Sequence, residues 1–140
     1  MSYQNFEDLE VWKKARALKN EIFETVKGFP PEEKFRLSDQ LIRSSRSINS
    51  QLAEGHGRRT IPDRIRFAVI ARGSLSETLN HLIDASDAGY LTLAILLSFR
   101  LKLQEIERLL NGYIHYLEKQ HAAVLQNKTA AIANSNRLKS

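Results

Sequence analysis

Four histidines, His56, His81, His115 and His121, and a scatter of serines are the side chains here that could carry acid–base or nucleophilic chemistry. A carboxylate-bridged metal pair in a helical protein needs a glutamate from each of two helices and a Glu-x-x-His pair from each of two others. Glu118 and His121 have that spacing, but no second copy and no His-Glu-x-x-His exist. No metal or other cofactor is therefore expected. There is no Gly-x-Ser-x-Gly elbow, and Ser44, Ser45 and Ser47 have no histidine at useful spacing. Ser74 precedes His81 by seven residues, about 10 Å along one helix, which is too far for a hydrogen bond. The chain has no cysteine, which removes thiolate catalysis, disulfides and cysteine-ligated metals. The expectation is a protein that is not an enzyme.

Arginine is the more informative residue. Residues 43–72 carry 7 basic and 2 acidic side chains, and every basic one is arginine: Arg43, Arg46, Arg58, Arg59, Arg64, Arg66 and Arg72. The planar guanidinium fork suits phosphate and carboxylate alike. Residues 121–140 add 3 basic and 0 acidic side chains, while the formal charge of the whole chain is +5. In the turn Glu54-Gly55-His56-Gly57-Arg58-Arg59-Thr60 two glycines free the backbone before a helix opens at Thr60. Such an N-terminus attracts anions. Gly55, His56 and Gly57 also fit a plain helix stop, and the turn lacks the lysine of a P-loop. Further on, Arg72 interrupts an apolar stripe, and Gly73 and Ser74 follow it. A charge at that position needs a partner or an interface, so a carboxylate partner is expected. Gly73 inside a helix costs about 1 kcal/mol against alanine, and the small residues Gly73 and Ser74 would let a neighbouring helix approach closely.

Four helical segments must position these groups. Asp8 can cap the first, from about Asp8 to Lys27, with Val11, Ala15, Leu18, Ile22 and Val26 spaced by three and four. The second follows Pro30-Pro31, with Glu32 and Glu33 near its start, and ends near Gly55; Leu37, Leu41, Ser45, Ile48 and Leu52 share one face, with Arg43 and Arg46 opposite. The third opens at the N-cap Thr60, with Pro62 in its first turn and Asp63 completing a short capping box. It runs to about Ala88 along Ile61, Ile65, Ala68, Leu75, Leu79 and Leu82, and Gly89 ends it. Thr92 caps the fourth, which reaches Gln120 or beyond through Leu96, Phe99, Leu103, Ile106, Leu110, Tyr113 and Leu117. Short links make sequential helices antiparallel neighbours. The expected fold is all-α, an antiparallel up-down-up-down four-helix bundle over residues 1–120. Residues 121–140 are expected as a helix extension and a disordered basic tail.

The helices carry more apolar surface than one core needs. Phe67 and Ile70 lie opposite the third segment's main stripe, and Leu93, Leu97 and Leu101 lie outside the fourth segment's seam. Apolar residues recurring at helical spacing on a second face predict a homo-oligomer. The first ten residues lack the basic region and apolar run of a signal peptide, and the longest apolar stretch is too short to cross a bilayer. A cytoplasmic protein with no membrane partner is expected.

A set of motifs in this order also resembles a family. The elements are Phe6-Glu7-Asp8-Leu9-Glu10-Val11-Trp12-Lys13-Lys14-Ala15, Phe29-Pro30 with Glu33, Gln40-Leu41-Ile42-Arg43 and Ser47-Ile48. Ala53-Glu54-Gly55-His56-Gly57-Arg58, Arg66-Phe67 and Ala71-Arg72-Gly73-Ser74-Leu75 with Glu77 complete them. Over residues 6 to 118 the chain resembles the small bacterial proteins named after the 23S rRNA intervening sequence. It departs at Gln51-Leu52, where the family pattern more often reads Asn-Ile. The resemblance implies a left-handed four-helix bundle, a ring-like homopentamer, and no catalysis or cofactor. The family is similar in architecture to an accessory protein that partners a reverse transcriptase and nucleic acid. The functional expectation is RNA or DNA binding through Arg43, Arg46, Arg58, Arg59, Arg64 and Arg66. The alternative is an interaction scaffold or accessory subunit for an acidic protein partner.

Overall fold

The computed structural model describes residues 5–139, and among them there are four long helices and no strand. The helices are α1 (Glu10–Val26), α2 (Leu37–His56), α3 (Ile61–Asp87) and α4 (Leu93–Lys139). A 3-10 turn, Phe6–Asp8, precedes α1, and a second, Pro31–Glu33, precedes α2.

The N-terminal turn explains several residues at once. Asn5 Oδ1 accepts from the Glu7 N–H at 3.4 Å, and Leu9 stands at the N-cap of α1 with no side-chain cap. Asp8, expected as that cap, instead closes the 3-10 turn. Leu9 is buried there, because the chain must enter α1 already docked on the core. The rings of Phe6 and Trp12 meet edge to face at 5.2 Å, and the Trp12 carbonyl accepts from Asn49 Nδ2 at 3.0 Å.

α2 begins later than Glu32 and Glu33 suggest. Pro30 is extended ahead of Pro31, and residues 31–33 turn as a 3-10 helix. Arg36 leaves helical geometry before Leu37 enters the core. The α3 cap is as read from sequence: Thr60 Oγ1 accepts from the Asp63 N–H at 3.3 Å. So is its end, where Gly89 sits at φ +83°. The Tyr90 and Gly89 N–H groups reach back to the carbonyls of Ala85 and Ser86, the Schellman pattern. Tyr90 then packs on Phe29 at 5.4 Å between ring centroids. Thr92 Oγ1 accepts from the Ile95 N–H at 3.2 Å.

All five stripe residues of α1 and all five of α2 are buried. α1 packs on α2 and α4, and α3 packs on α2 and α4, so the four helices close around one core. Polar links mark the register: Ser44 and Ser47 of α2 meet Thr78 and Ser74 of α3, each pair at 3.0 Å. Lys14 and Glu21 of α1 meet Glu105 and Lys102 of α4 at 3.6 and 2.6 Å. Residues 121–139, expected as an extension followed by a disordered tail, continue α4 without a break.

The tightest place in the molecule is Gly55. A Cβ built there would lie 2.7 Å from Phe67 Cβ and 3.4 Å from the Arg64 carbonyl. Gly73 is the opposite case, exposed, with nothing within 4 Å of a built Cβ. Of the two small residues expected to allow a close helix approach, Ser74 makes it, to Ser47 of α2, and Gly73 does not, which corrects the role expected of Gly73. Gly55→Ala should lower stability by about 1–3 kcal/mol through overpacking, whereas Gly73→Ala should raise it by about 0.5–1 kcal/mol. Urea unfolding of the two variants checks both signs.

Candidate nucleic-acid interface

The six candidate arginines fall into two groups. Arg43 and Arg46 stand on the exposed face of α2. Arg43 Nη1 lies 3.7 Å from Asp39 Oδ2, one turn earlier. The Arg46 guanidinium lies 5.5 Å from the centroid of the Phe23 ring, which Lys27 Nζ also approaches at 5.0 Å. Arg46 and Arg58 are twelve residues apart, which sets the second group about 18 Å further along.

That second group is organised by one ring. Phe67 carries the Arg58 guanidinium at 4.6 Å and the Arg66 guanidinium at 4.9 Å from its centroid. Arg58 Nη2 donates to Glu54 Oε1 at 2.6 Å, and Arg66 Nε lies 3.5 Å from Asp63 Oδ1. Arg64 Nε donates to the Arg58 carbonyl at 2.8 Å and so ties α3 to the turn. Arg59 is exposed. The cluster is thus a stacked and ion-paired corner that presents Arg59 and the outer edges of Arg58 and Arg66 to solvent.

The backbone of the turn offers an anion less than its glycines suggest. The Gly57 N–H is bonded to Ala53 and Glu54, and the Arg58 N–H to Gly55. In the first turn of α3, Pro62 has no N–H and Thr60 already holds that of Asp63. Phosphate contact here would rest on the guanidinium groups.

The expected oligomer-interface residues divide. Phe67 is 7% exposed and packs against Gly55 inside its own chain, so it is corrected to a structural residue. The wheel places it opposite the main stripe, but the missing side chain at 55 makes a slot on that side. Ile70, Leu93, Leu97 and Leu101 are exposed, the last three at 73%, 57% and 66%. Arg72, expected to pair with a carboxylate, donates from Nη1 to the neutral Asn111 Oδ1 at 3.0 Å. Its head reaches a partly exposed site between α3 and α4, where an amide oxygen suffices. Sequence reasoning missed Phe35, which is 84% exposed with Lys34 Nζ 5.4 Å from its ring. Its position outside every helical stripe was the available signal.

The chemical candidates have other employment. Ser44, Ser47, Ser74 and Thr78 bond across the α2–α3 contact, and Ser45 Oγ donates to the Leu41 carbonyl at 2.8 Å. His81 Nε2 lies 3.4 Å from Glu77 Oε1. Among the described residues no group of three or more histidine, aspartate or glutamate side chains is placed to hold a metal ion. Among them, too, no helix is long and apolar enough to cross a membrane.

The family model for the 23S rRNA-intervening sequence protein matches residues 7–112. The chain belongs to that family. A crystal structure at 1.70 Å of a protein with unknown function, from the S23 ribosomal protein family of Bacteroides thetaiotaomicron VPI-5482, is similar in fold. It has a TM-score of 0.69 and 27% identity, and the match covers 75% of this chain and 95% of that one. No curated protein matches the chain. The family match spans both arginine groups and the Gly55–Phe67 contact, and it ends at residue 112, before the last 27 residues of α4.

Phe67→Ala should cost about 3–5 kcal/mol in urea unfolding, the penalty of a buried ring. A cost of under about 0.5 kcal/mol, usual for surface changes, would return Phe67 to the oligomer interface.

Proposed function

We propose that this member of the 23S rRNA-intervening sequence protein family is a non-catalytic, cytoplasmic, homopentameric protein that binds RNA or DNA. Each subunit is an antiparallel up-down-up-down, left-handed four-helix bundle. The antiparallel order is supported by the cross-links: as positions rise from Ser44 to Ser47 on α2, their partners fall from Thr78 to Ser74 on α3. Handedness and the pentamer follow the family resemblance.

The observation that carries nucleic-acid binding is the arginine set at two exposed places, α2's outer face and the 54–66 corner, with aromatic rings beside the guanidinium groups. Stacked guanidinium groups are pre-organised to donate to phosphate, and a ring of copies multiplies a modest patch into avidity. Self-association is supported by Leu93, Leu97 and Leu101, three exposed leucines on successive turns of α4. The second reading is a scaffold for an acidic protein. It is favoured by the carboxylate contacts that Arg43, Arg58 and Arg66 already make.

Purified without nuclease at low salt, the protein should carry material absorbing at 260 nm, and its affinity for single-stranded RNA should fall steeply with salt. Replacing Arg43, Arg46 and Arg59 by alanine together should flatten the salt dependence by about 0.7 in log–log slope for each phosphate no longer neutralised. A salt-independent affinity, or a pull-down partner insensitive to nuclease, would favour the scaffold instead. Light scattering should give a multiple of the 16.0 kDa chain mass, and a monomeric mass at micromolar concentration would sink the assembly.

A further inference from the structure

α4 outruns the core that it helps to build. Its buried seam passes through Phe99, Leu103, Ile106, Leu110, Ile114 and Leu117. From 118 to 139 every residue except the half-buried His121 is exposed, a projection of about 33 Å. In the register of the seam the arm alternates polar His121, Lys128 and Ser135 with apolar Val124, Ala131 and Leu138, and Leu125 and Ile132 lie beside them. Val124, Leu125, Ile132 and Leu138 are all exposed. Asn127, Thr129, Asn134 and Asn136 favour helix weakly, so propensity alone does not hold this arm rigid; most helical stability comes from packing an apolar face.

The surroundings of the arm's root complete the picture. An open groove of about 350 Å³ lies between the start of α1 and α4, lined by Leu9, Val11, Leu109, Tyr113 and Tyr116. Glu10 and Arg108 also line it, Glu7 and Asp8 stand next to it in sequence, and Glu10 pairs with Lys13 at 3.5 Å. The arm beyond Glu118 has Lys119, Lys128, Arg137 and Lys139 and no carboxylate. Because the arm is one continuous helix, its tip cannot return to its own groove.

We propose that the arm is a docking helix for a second copy of this chain: two arms pack antiparallel along their apolar stripes, and each tip seats over the groove at the other's root. Charge decides the direction. Parallel arms would set Lys119, Lys128, Arg137 and Lys139 each against its own copy. Antiparallel arms bring Arg137 and Lys139 to the partner's Glu118, Glu10, Asp8 and Glu7, leaving Lys128 near its copy and the partner's Lys119 as the remaining like charges. This contact is separate from the Leu93–Leu97–Leu101 ridge, so it joins two copies, or two rings of copies, whatever the ridge does.

The cysteine-free chain allows a direct test. Gly112→Cys places a thiol in open space beside the groove, and Leu138→Cys places one at the tip. The two are 26 residues apart on one helix, about 39 Å, so a disulfide between them, which needs Cα atoms within about 7 Å, must join two chains. The full-length double variant should form disulfide-linked dimers under mild oxidation, and Leu138→Cys alone should not. In a second measurement, Leu125→Asp with Ile132→Asp should halve the solution mass without moving the thermal midpoint of the core. Rapid linkage by Leu138→Cys alone would mean parallel arms and overturn the proposal. So would an unchanged mass, including an unchanged mass with weakened RNA retention, which would assign the arm to a polyanion. A lower mass on Leu97→Asp with the arm cross-link retained would support two separate contacts, whereas loss of the cross-link on Leu97→Asp would overturn the arm as a contact of its own.

Discussion

At residue 55 the end of α2 and the start of α3 approach so closely that a methyl group has no room. The missing Cβ makes the slot that Phe67 fills, and a filled slot gives Arg58 and Arg66 an aromatic surface on which to lie. Arg64 then closes the turn from above by holding the Arg58 carbonyl. The direction of α3, the seating of Phe67 and the arrangement of three arginines thus rest on one missing side chain. A cluster of guanidinium groups would ordinarily spread apart by repulsion. Here the ring, two carboxylates and a carbonyl hold the cluster at a fixed corner.

The same contact continues up the α2–α3 pair with a different chemistry. Hydroxyl groups rather than leucines meet between the two helices, Ser47 with Ser74 and Ser44 with Thr78. Hydroxyls are short enough to permit close approach, and each buried one has a partner, as buried polar groups require. Thr78 donates back to the Ser74 carbonyl and meets Ser44 across the gap. An aliphatic pair would force the helices apart and open the slot at Gly55. The serines, nucleophile candidates by residue type alone, act here as spacers.

Much of this was legible in sequence where a single helix decides the outcome. The α1 stripe from Val11 to Val26, the Thr60 and Thr92 caps and the Gly89 stop follow from periodicity and local hydrogen bonding, and each stands as read. Contacts between elements were not legible. A helical wheel puts Phe67 outside because it cannot register that the facing residue lacks a side chain. Nor can it tell that Arg72 reaches an amide on α4 rather than a carboxylate. Asp8 was misplaced because Leu9, by burying itself, delays the helix by one residue. The arginine set was visible as composition, but its division into two groups depends on the rise along α2 and on where Phe23 and Phe67 lie.

α4 is where the molecule exceeds the needs of its own core. It carries one apolar seam that α1 and α3 cover, a leucine ridge at its first turns that they do not, and a mixed stripe at its far end in register with the seam. The ridge and the distal stripe lie on different sides of the helix and are separated by more than twenty residues, so one partner helix cannot cover both. Two separate apolar surfaces are thus exposed on a single chain. Contacts of one kind can close a ring and contacts of another can join such rings. Because ridge and arm share one unbroken helix, the spacing between them is fixed by helical rise rather than by a linker. The relative placement of copies joined through either end is therefore set by the length of α4 itself.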